Sequence, residues 1–180
     1  MNSINQQQEE NNHEDLRGTD AAKKIKELSN KNTCHFITKL QETSPLHVRP
    51  MSVQVTDDDG TLWFLCANDS HIYSDIKADS RVHLLFQGSS YSDFLSLGAT
   101  AKLTADKAKI AELWEPMLKT WFTEGQDDPR IAVIEVKPLE GYYWDNKHGN
   151  AVAFLKTVAG AIVGKTMDDS IEGKLESITN

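Results

Sequence analysis

Runs of apolar residues between turn signals divide most of the chain into short predicted strands. The run Thr61–Ala67 is apolar almost throughout, which is typical of a strand covered on both faces. The other strand predictions mix β-branched and aromatic residues and cover 33–40, 46–55, 81–87, 91–103, 131–136 and 141–144. Most of these segments are joined by short turns such as Asp57–Gly60, so an antiparallel arrangement is favoured over a parallel doubly wound sheet.

Apolar residues at steps of three and four predict four helices, over 20–29, 71–78, 107–122 and 150–163. Thr19 or Asp20 is expected to cap the first helix, Ser70 the second and Asp106 the third. Pro116 is expected to restart the third helix as a first-turn residue. Its apolar stripe is predicted at Ile110, Leu113, Trp114, Met117, Leu118, Trp121 and Phe122. Six or seven strands and four helices predict a small antiparallel barrel with helices packed outside it.

Length and composition predict one domain preceded by a tail. At roughly 100–200 residues per domain, 180 residues suit a single domain, predicted over 19–180. Residues 1–18 are rich in Asn, Gln and acidic residues at their start and are predicted to be a disordered tail. The net charge of −8 argues against nucleic acid or anionic lipid as a partner, because such binding needs basic patches.

The same features predict a soluble cytoplasmic protein. The N-terminus lacks the basic and apolar regions of a secretory signal. The longest apolar-rich stretch, 151–163, is shorter than the roughly 20 residues of a membrane span. Cys34 and Cys66 lack metal-ligand spacing and are expected to be buried free thiols in a reducing compartment.

Candidate chemistry is confined to two features, because standard catalytic motifs and metal-binding spacings are absent. The first is the strand at Arg49, where a planar guanidinium suits an anion and Pro50 marks an irregular strand edge. The alternative is an ordinary surface arginine. The second is the junction of an apolar strand with a helix at Ser70 and His71, where free amides favour an anion. The alternative is a helix start that binds only water and its own cap. No catalytic residue and no metal ligand is identified.

The order of these features resembles the FMN-binding split barrel of the pyridoxamine 5′-phosphate oxidase superfamily, and in particular its general stress protein branch. The segments that carry the resemblance are RPM at 49–51, GTLWFLCANDS at 60–70, ELWEPMLKTWFTEGQDDP at 112–129 and GYYWD at 141–145. Together they span most of the chain from residue 20 onward. The resemblance implies a mainly β (α+β) fold, a six-stranded antiparallel split β-barrel with peripheral helices.

The resemblance also implies a homodimer with two flavin sites at the subunit interface. The cofactor is expected to be FMN, with FAD left open because both share the ring and the first phosphate. Arg49, Pro50 and the backbone at Met51 are then expected to lie along the flavin, and Ser70 and His71 to approach its phosphate. The side chains expected to line the floor of the isoalloxazine site are Phe64, Leu65 and Cys66. Trp144 is expected to pack on the flavin from the other subunit. Core packing is the alternative for Phe64, Leu65 and Trp144.

Two departures from the family pattern affect the functional hypothesis. Ile72 stands where the stress-protein branch usually has Lys, which removes a phosphate cation. Residues 145–148 read Asp-Asn-Lys-His, where the oxidases have an Arg-Leu-His-Asp run that holds the substrate phosphate. The resulting hypothesis is an FMN-dependent oxidoreductase of unknown substrate that lacks vitamin B6 oxidase activity. The alternatives are a flavin-binding or sensing module without turnover, and a cofactor-free dimeric stress protein.

Overall fold

A computed structural model describes residues 12–30, 32–42, 45–88, 93–146 and 169–178, and these residues are mainly β with a few helices. The strands are β1 (Leu16–Arg17), β2 (Thr33–Thr38), β3 (His47–Ser52), β4 (Val55–Thr56), β5 (Leu62–Ala67), β6 (Arg81–Gln87), β7 (Phe94–Thr104), β8 (Ile131–Asn146) and β9 (Ser170–Glu176). The helices are α1 (Gly18–Ser29), α2 (His71–Ala78) and α3 (Lys107–Leu113), followed by two 3₁₀ turns, Pro116–Thr120 and Gly125–Asp127.

The strands form one sheet in the order β1-β9-β8-β7-β6-β2-β3, with β4 and β5 branching from β8. All neighbouring pairs are antiparallel except β1 and β9. The antiparallel, mainly β prediction is therefore confirmed. The strand count of six is not: the described residues form nine strands, and these strands do not close into a ring.

The long strand β8 changes the count in the other direction, because it joins the strands predicted over 131–136 and 141–144 into one. The Pro138-Leu139-Glu140-Gly141 stretch predicts a break, but β8 continues through it for 16 residues. Its register against β7 shifts between Gly98 and Ala99, so that Leu139 is the extra residue of a β-bulge. A bulge tolerates Pro138, which has no N–H for the ladder. The first half of β8 then pairs with β5 and the second half with β9.

Apolar side chains from both ends of the chain fill the main core. Phe36 of β2 and Phe64 of β5 meet edge to face, with ring centroids 5.3 Å apart, and α1 packs Ile25 against them. A smaller cluster lies on the other face of β5 and β8, where Leu65 meets Ile110 of α3. Alternate residues of β5 thus enter two different cores, as its continuous apolar run predicts.

Local capping signals predict two of the three helix starts correctly. Ser70 accepts a hydrogen bond from the amide of Tyr73, and Asp106 accepts from the amides of Ala108 and Lys109. The cap predicted at Thr19 or Asp20 is wrong, because α1 begins earlier, at Gly18. Gly18 has a φ of +52°, a conformation that glycine adopts readily and that joins β1 directly to the helix.

The third predicted helix is wrong beyond Leu113. The chain leaves the α conformation there and resumes as a 3₁₀ turn with Pro116 in its first turn. The stripe is therefore split: Ile110, Leu113 and Phe122 are buried, whereas Met117 and Trp121 are exposed. Proline restarts the segment, as expected, but 3₁₀ geometry rotates the later apolar residues away from the core.

The described part of the predicted tail is ordered. Residues 12–15 run beside β9, β1 pairs with it, and the Tyr143 hydroxyl donates to the carbonyl of Glu14 at 2.9 Å. For residues 12–17 the prediction of disorder is wrong, because β9 supplies an edge for them to pair with. β9 itself was not predicted. The helix predicted over 150–163 lies outside the described residues, and the single domain over 19–180 stays a prediction.

Candidate functional site

Strand β3 presents the predicted site residues to two different faces of the sheet. His47, Arg49 and Met51 are half-buried and face α2 and the core, whereas Val48 and Pro50 are exposed on the outer face. β3 ends the strand order, so Pro50 lies on an edge strand, as its missing N–H predicts. A ligand at this strand therefore meets cations on one face and an apolar surface on the other.

The Arg49 guanidinium is held by a closed set of three hydrogen bonds. Its Nη1 donates to Thr38 Oγ1 at 2.9 Å, and its Nη2 donates to Asp75 Oδ2 at 2.8 Å. The Thr38 hydroxyl in turn donates to the same carboxylate oxygen at 2.8 Å. Burial of Asp75 disfavours its charged form, but the Thr38 hydrogen bond and the Arg49 charge together hold its pKa below the ordinary value.

Two further basic side chains approach the same carboxylate. Lys39 Nζ lies 3.7 Å from Asp75 Oδ1, and His47 Nδ1 lies 3.8 Å from Oδ2. Glu42 contacts both of them, at 3.4 Å from Lys39 Nζ and 3.0 Å from His47 Nε2. Sequence reasoning missed this cluster, because Asp75 lies 26 residues from Arg49 and no local pattern joins them.

The start of α2 holds Ser70 and His71 as predicted. The Ser70 hydroxyl donates to the carbonyl of Ala67 and accepts from the amide of Tyr73, so it caps the helix. His71 is exposed in the first turn. Ile72 follows it but is only 3% exposed and packs in the main core. A charged side chain at this position would have to leave the core to meet an anion.

The side chains predicted to form the floor of the flavin site are committed to packing. Phe64 and Cys66 are buried in the main core, and Leu65 is buried in the smaller cluster. Burial raises the pKa of Cys66 to about 12, so its sulfur is a neutral thiol. If these three positions contact a ligand, the contact is made through the backbone of β5. Their role stays a prediction.

An apolar groove of about 400 Å³ lies on the outer face of the sheet, and Trp144 lines one side of it. Residues in direct register share this face: Pro50, His35, Leu85, Ser96 and Tyr142 form one row across five strands. The apolar residues that line the groove are Ile37, Leu46, Val48, Leu85, Phe86, Phe94, Leu95 and Trp144, and the polar ones are His35, Gln87 and Ser96.

Aromatic side chains define one end of this groove. Trp144 is 43% exposed and stands in register with Phe94, and its ring centroid lies 4.5 Å from that of Tyr142 with the ring planes tilted by 45°. Leu46, Val48 and Leu85 are also exposed nearby. The sequence indicates apolar residues on both faces of several predicted strands. It does not indicate the order of these strands in the sheet, which is what brings the apolar residues together into one groove.

The predicted site residues thus fall into three places. Arg49 belongs to the cation cluster around Asp75, Ser70 and His71 stand at the start of α2, and Pro50 and Trp144 share the outer face. The cation cluster suits an anionic group, and the outer groove suits a planar apolar one. These two features lie on opposite faces of the edge strand β3, so a molecule that carries both groups would use both by passing around that edge.

Comparison with known proteins gives the same family as the sequence motifs. The model of the family described as pyridoxamine 5′-phosphate oxidase like matches residues 20–168. The chain is also 30% identical over 156 residues to protein bli-3 of Neurospora crassa, a match that covers 79% of this chain and 74% of that protein.

Solved structures of general stress proteins share the fold. A protein of Jannaschia sp. CCS1 assigned to general stress protein 26 superimposes with a TM-score of 0.72 at 20% identity, covering 86% of this chain and 96% of that one. The general stress FMN/FAD binding protein of Xanthomonas citri superimposes with a TM-score of 0.56 at 24% identity, covering 66% and 82% of the two chains.

Proposed function

The chain belongs to the pyridoxamine 5′-phosphate oxidase-like family, and from that premise we propose that it binds FMN and acts as an FMN-dependent oxidoreductase. The named relative from Xanthomonas citri, an FMN/FAD binding protein, supports the cofactor. The observation that carries the proposal is the outer groove, which joins an exposed tryptophan to a strand whose opposite face bears Arg49.

The described residues fit a flavin in both charge and polarity. The groove lining is mostly apolar with three polar groups, as sites for planar aromatic ligands are. Arg49 uses two of its five donor hydrogens on Thr38 and Asp75, which leaves three for an anion. The capping hydroxyl of Ser70 and the first amides of α2 add neutral donors.

In this proposal the protein supplies position and electrostatics, and the bound flavin supplies the capacity to accept and release electrons. Trp144 and the strands beside it would hold the ring and keep water from one of its faces. Arg49, fixed by Asp75, would hold the phosphate. Cys66 would take no part in the chemistry, because its thiol is buried and neutral.

We propose that the outer face is also where two chains meet as a homodimer. Leu46, Val48, Leu85 and Trp144 are each more than a third exposed on one surface of the sheet. Exposed apolar side chains gathered on one face are characteristic of interaction surfaces. A second chain on this face would cover them and enclose the groove.

Vitamin B6 oxidation is excluded from the proposal because the described residues of β8 after Trp144, 145–146, offer no cation. Asp145 is buried and forms an ion pair with Lys24 at 2.8 Å. Although burial opposes it, the hydrogen bond that Lys24 donates to Asp145 raises the pKa of Lys24, so that cation is committed to Asp145. Residues 147–148 lie outside the described residues.

We place the protein in the cytoplasm. Both cysteines are free and buried, which suits a reducing compartment. Among the described residues, no helix has the length and apolar character needed to cross a bilayer.

The visible absorbance spectrum of the purified protein tests the cofactor, and chromatography of the flavin released by heat separates FMN from FAD. Reduction of the bound flavin by NADH or NADPH, at a higher rate than for free FMN, tests the oxidoreductase. Bound flavin without accelerated reduction would leave a binding or sensing module instead.

One observation favours a second candidate, a cofactor-free dimer that acts as a stress-response scaffold. Asp75 already neutralises Arg49 within the chain, and Ile72 adds no charge beside it. A colourless protein that gains no flavin from excess FMN but sediments as a dimer would support this candidate.

A further inference from the structure

Lys39 lies at the edge of the cation cluster in an unusual backbone conformation. It follows the last residue of β2 with a φ of 51°, which residues other than glycine, asparagine and aspartate rarely adopt. Such backbone strain persists only where surrounding contacts hold it, and it is concentrated at functional sites. A turn holds this conformation, because the amide of Glu42 donates to the carbonyl of Lys39 at 2.8 Å, and Lys39 Nζ lies near Asp75 and Glu42.

These contacts leave the ammonium group of Lys39 uncommitted. Its distances of 3.4 Å to Glu42 and 3.7 Å to Asp75 exceed the 2.7–2.9 Å of a charge-assisted hydrogen bond. Glu42 is exposed, and ion pairs between partly exposed groups add little stability. Arg49 differs, because it makes hydrogen bonds of 2.8 Å and 2.9 Å to its two partners. Lys39 can therefore turn to an external anion at little cost.

Charge balance assigns Lys39 a specific role. The Arg49–Asp75 pair is neutral as a unit, so a phosphate monoester, which carries up to two negative charges, needs a further cation. Ile72 supplies none, because its side chain is in the core. Lys39 and Arg49 approach the same carboxylate and lie beside each other, each partly exposed.

We propose that Lys39 is the specificity-determining cation of the flavin site, which contacts the phosphate and favours FMN over riboflavin. This inference rests on the proposed flavin-binding function. Lys39 and Arg49 would both contact the phosphate, while Asp75 keeps its hydrogen bonds from Arg49 and Thr38. When the phosphate enters, Lys39 exchanges Glu42 for it.

The test compares FMN with riboflavin, which has the same ring and lacks the phosphate. Dissociation constants of both flavins are measured by fluorescence quenching at one pH and one ionic strength. The variants are Lys39→Met, the conservative Lys39→Arg, and Lys77→Met as the matched control. Lys77 is exposed on α2, the helix that carries Asp75, so its removal changes the net charge equally. A thermal melt of each variant verifies folding.

For Lys39→Met we expect FMN affinity to fall about tenfold and riboflavin affinity to change less than about twofold. Lys39→Arg should retain most of the FMN affinity, and Lys77→Met should leave both flavins within about twofold of the wild type. An equal FMN loss in Lys39→Met and Lys77→Met would overturn the inference, since it would reflect net charge alone. Equal wild-type affinity for both flavins would overturn it too, while flavin binding would stand. Binding of neither flavin would refute the proposed function itself.

Discussion

Removing the Asp75 carboxylate should destabilise the fold strongly, because this group joins α2 to β2 and β3. Asp75→Ala removes the acceptor of two hydrogen bonds of 2.8 Å, from Thr38 and from Arg49. The Thr38 hydroxyl is fully buried, and a buried donor that loses its acceptor costs about 1–3 kcal/mol. Arg49 is 26% exposed, so water can replace part of the hydrogen bonding that it loses. The loss of its ion pair is therefore taken as about 1 kcal/mol, which allows for solvent screening. The free energy of unfolding should therefore fall by about 3 kcal/mol.

Urea denaturation at neutral pH, followed by circular dichroism, measures this change directly. Asp75→Asn is the conservative variant: it keeps an acceptor oxygen and loses the charge, so it should recover about half of the loss. Asp79→Ala is the matched control, because it breaks an Asp–Arg pair of 2.6 Å that is exposed. The control should be clearly less destabilised than Asp75→Ala. If Asp75→Ala lost less than about 1 kcal/mol, or no more than the control, the cluster would not stabilise the fold as argued.

Further predictions concern the outer face, the chain ends and substrate choice. Burial lowers the pKa of His83, although the negative charge of Glu140 opposes this shift, so His83 takes up a proton at higher pH in the unfolded chain than in the folded one. The contribution of His83 to stability should therefore be fully present above about pH 6.5 and decrease as the pH falls below that value. Between pH 7 and 5, roughly, the urea midpoint of His83→Gln should fall less than that of the wild type. Leu85→Asp should turn a dimer at micromolar concentration into a folded monomer in sedimentation velocity, and a wild-type monomer would contradict the proposed interface. Gly173→Ala should cost about 1–3 kcal/mol and expose residues 12–17 to proteolysis, since a Cβ there would clash with the carbonyl oxygen of Glu14. Pyridoxamine 5′-phosphate should not be oxidised at an enzymatic rate, on the order of 1–10³ per second; such turnover would refute the exclusion of B6 oxidation.

Features set by neighbouring residues were predictable from the sequence. The caps at Ser70 and Asp106 depend on a side chain and amides two or three residues away. The turn at Gly60, with a φ of +84°, and the strand β6 also follow from local patterns. Family membership followed from motifs that span most of the chain.

Features set by distant residues were not predictable in this way. Arg49 was recognised as a candidate, but its partner Asp75 lies in another element, and only the fold brings them together. β9 was missed because its pairing with β8 depends on residues about 30 positions earlier. Met117 and Trp121 have helical spacing yet are exposed, since the chain adopts 3₁₀ geometry after Pro116.

Titration of the purified protein with FMN tests the central claim most directly. Any bound flavin is first removed by dialysis against denaturant, and the protein is then refolded. FMN fluorescence is measured as the refolded protein, at known concentration, is titrated with FMN. The account predicts that the protein quenches FMN fluorescence and that the quenching saturates when one FMN is bound per chain. A protein that refolds with its native circular dichroism spectrum, yet leaves FMN fluorescence unchanged at every concentration, would contradict it.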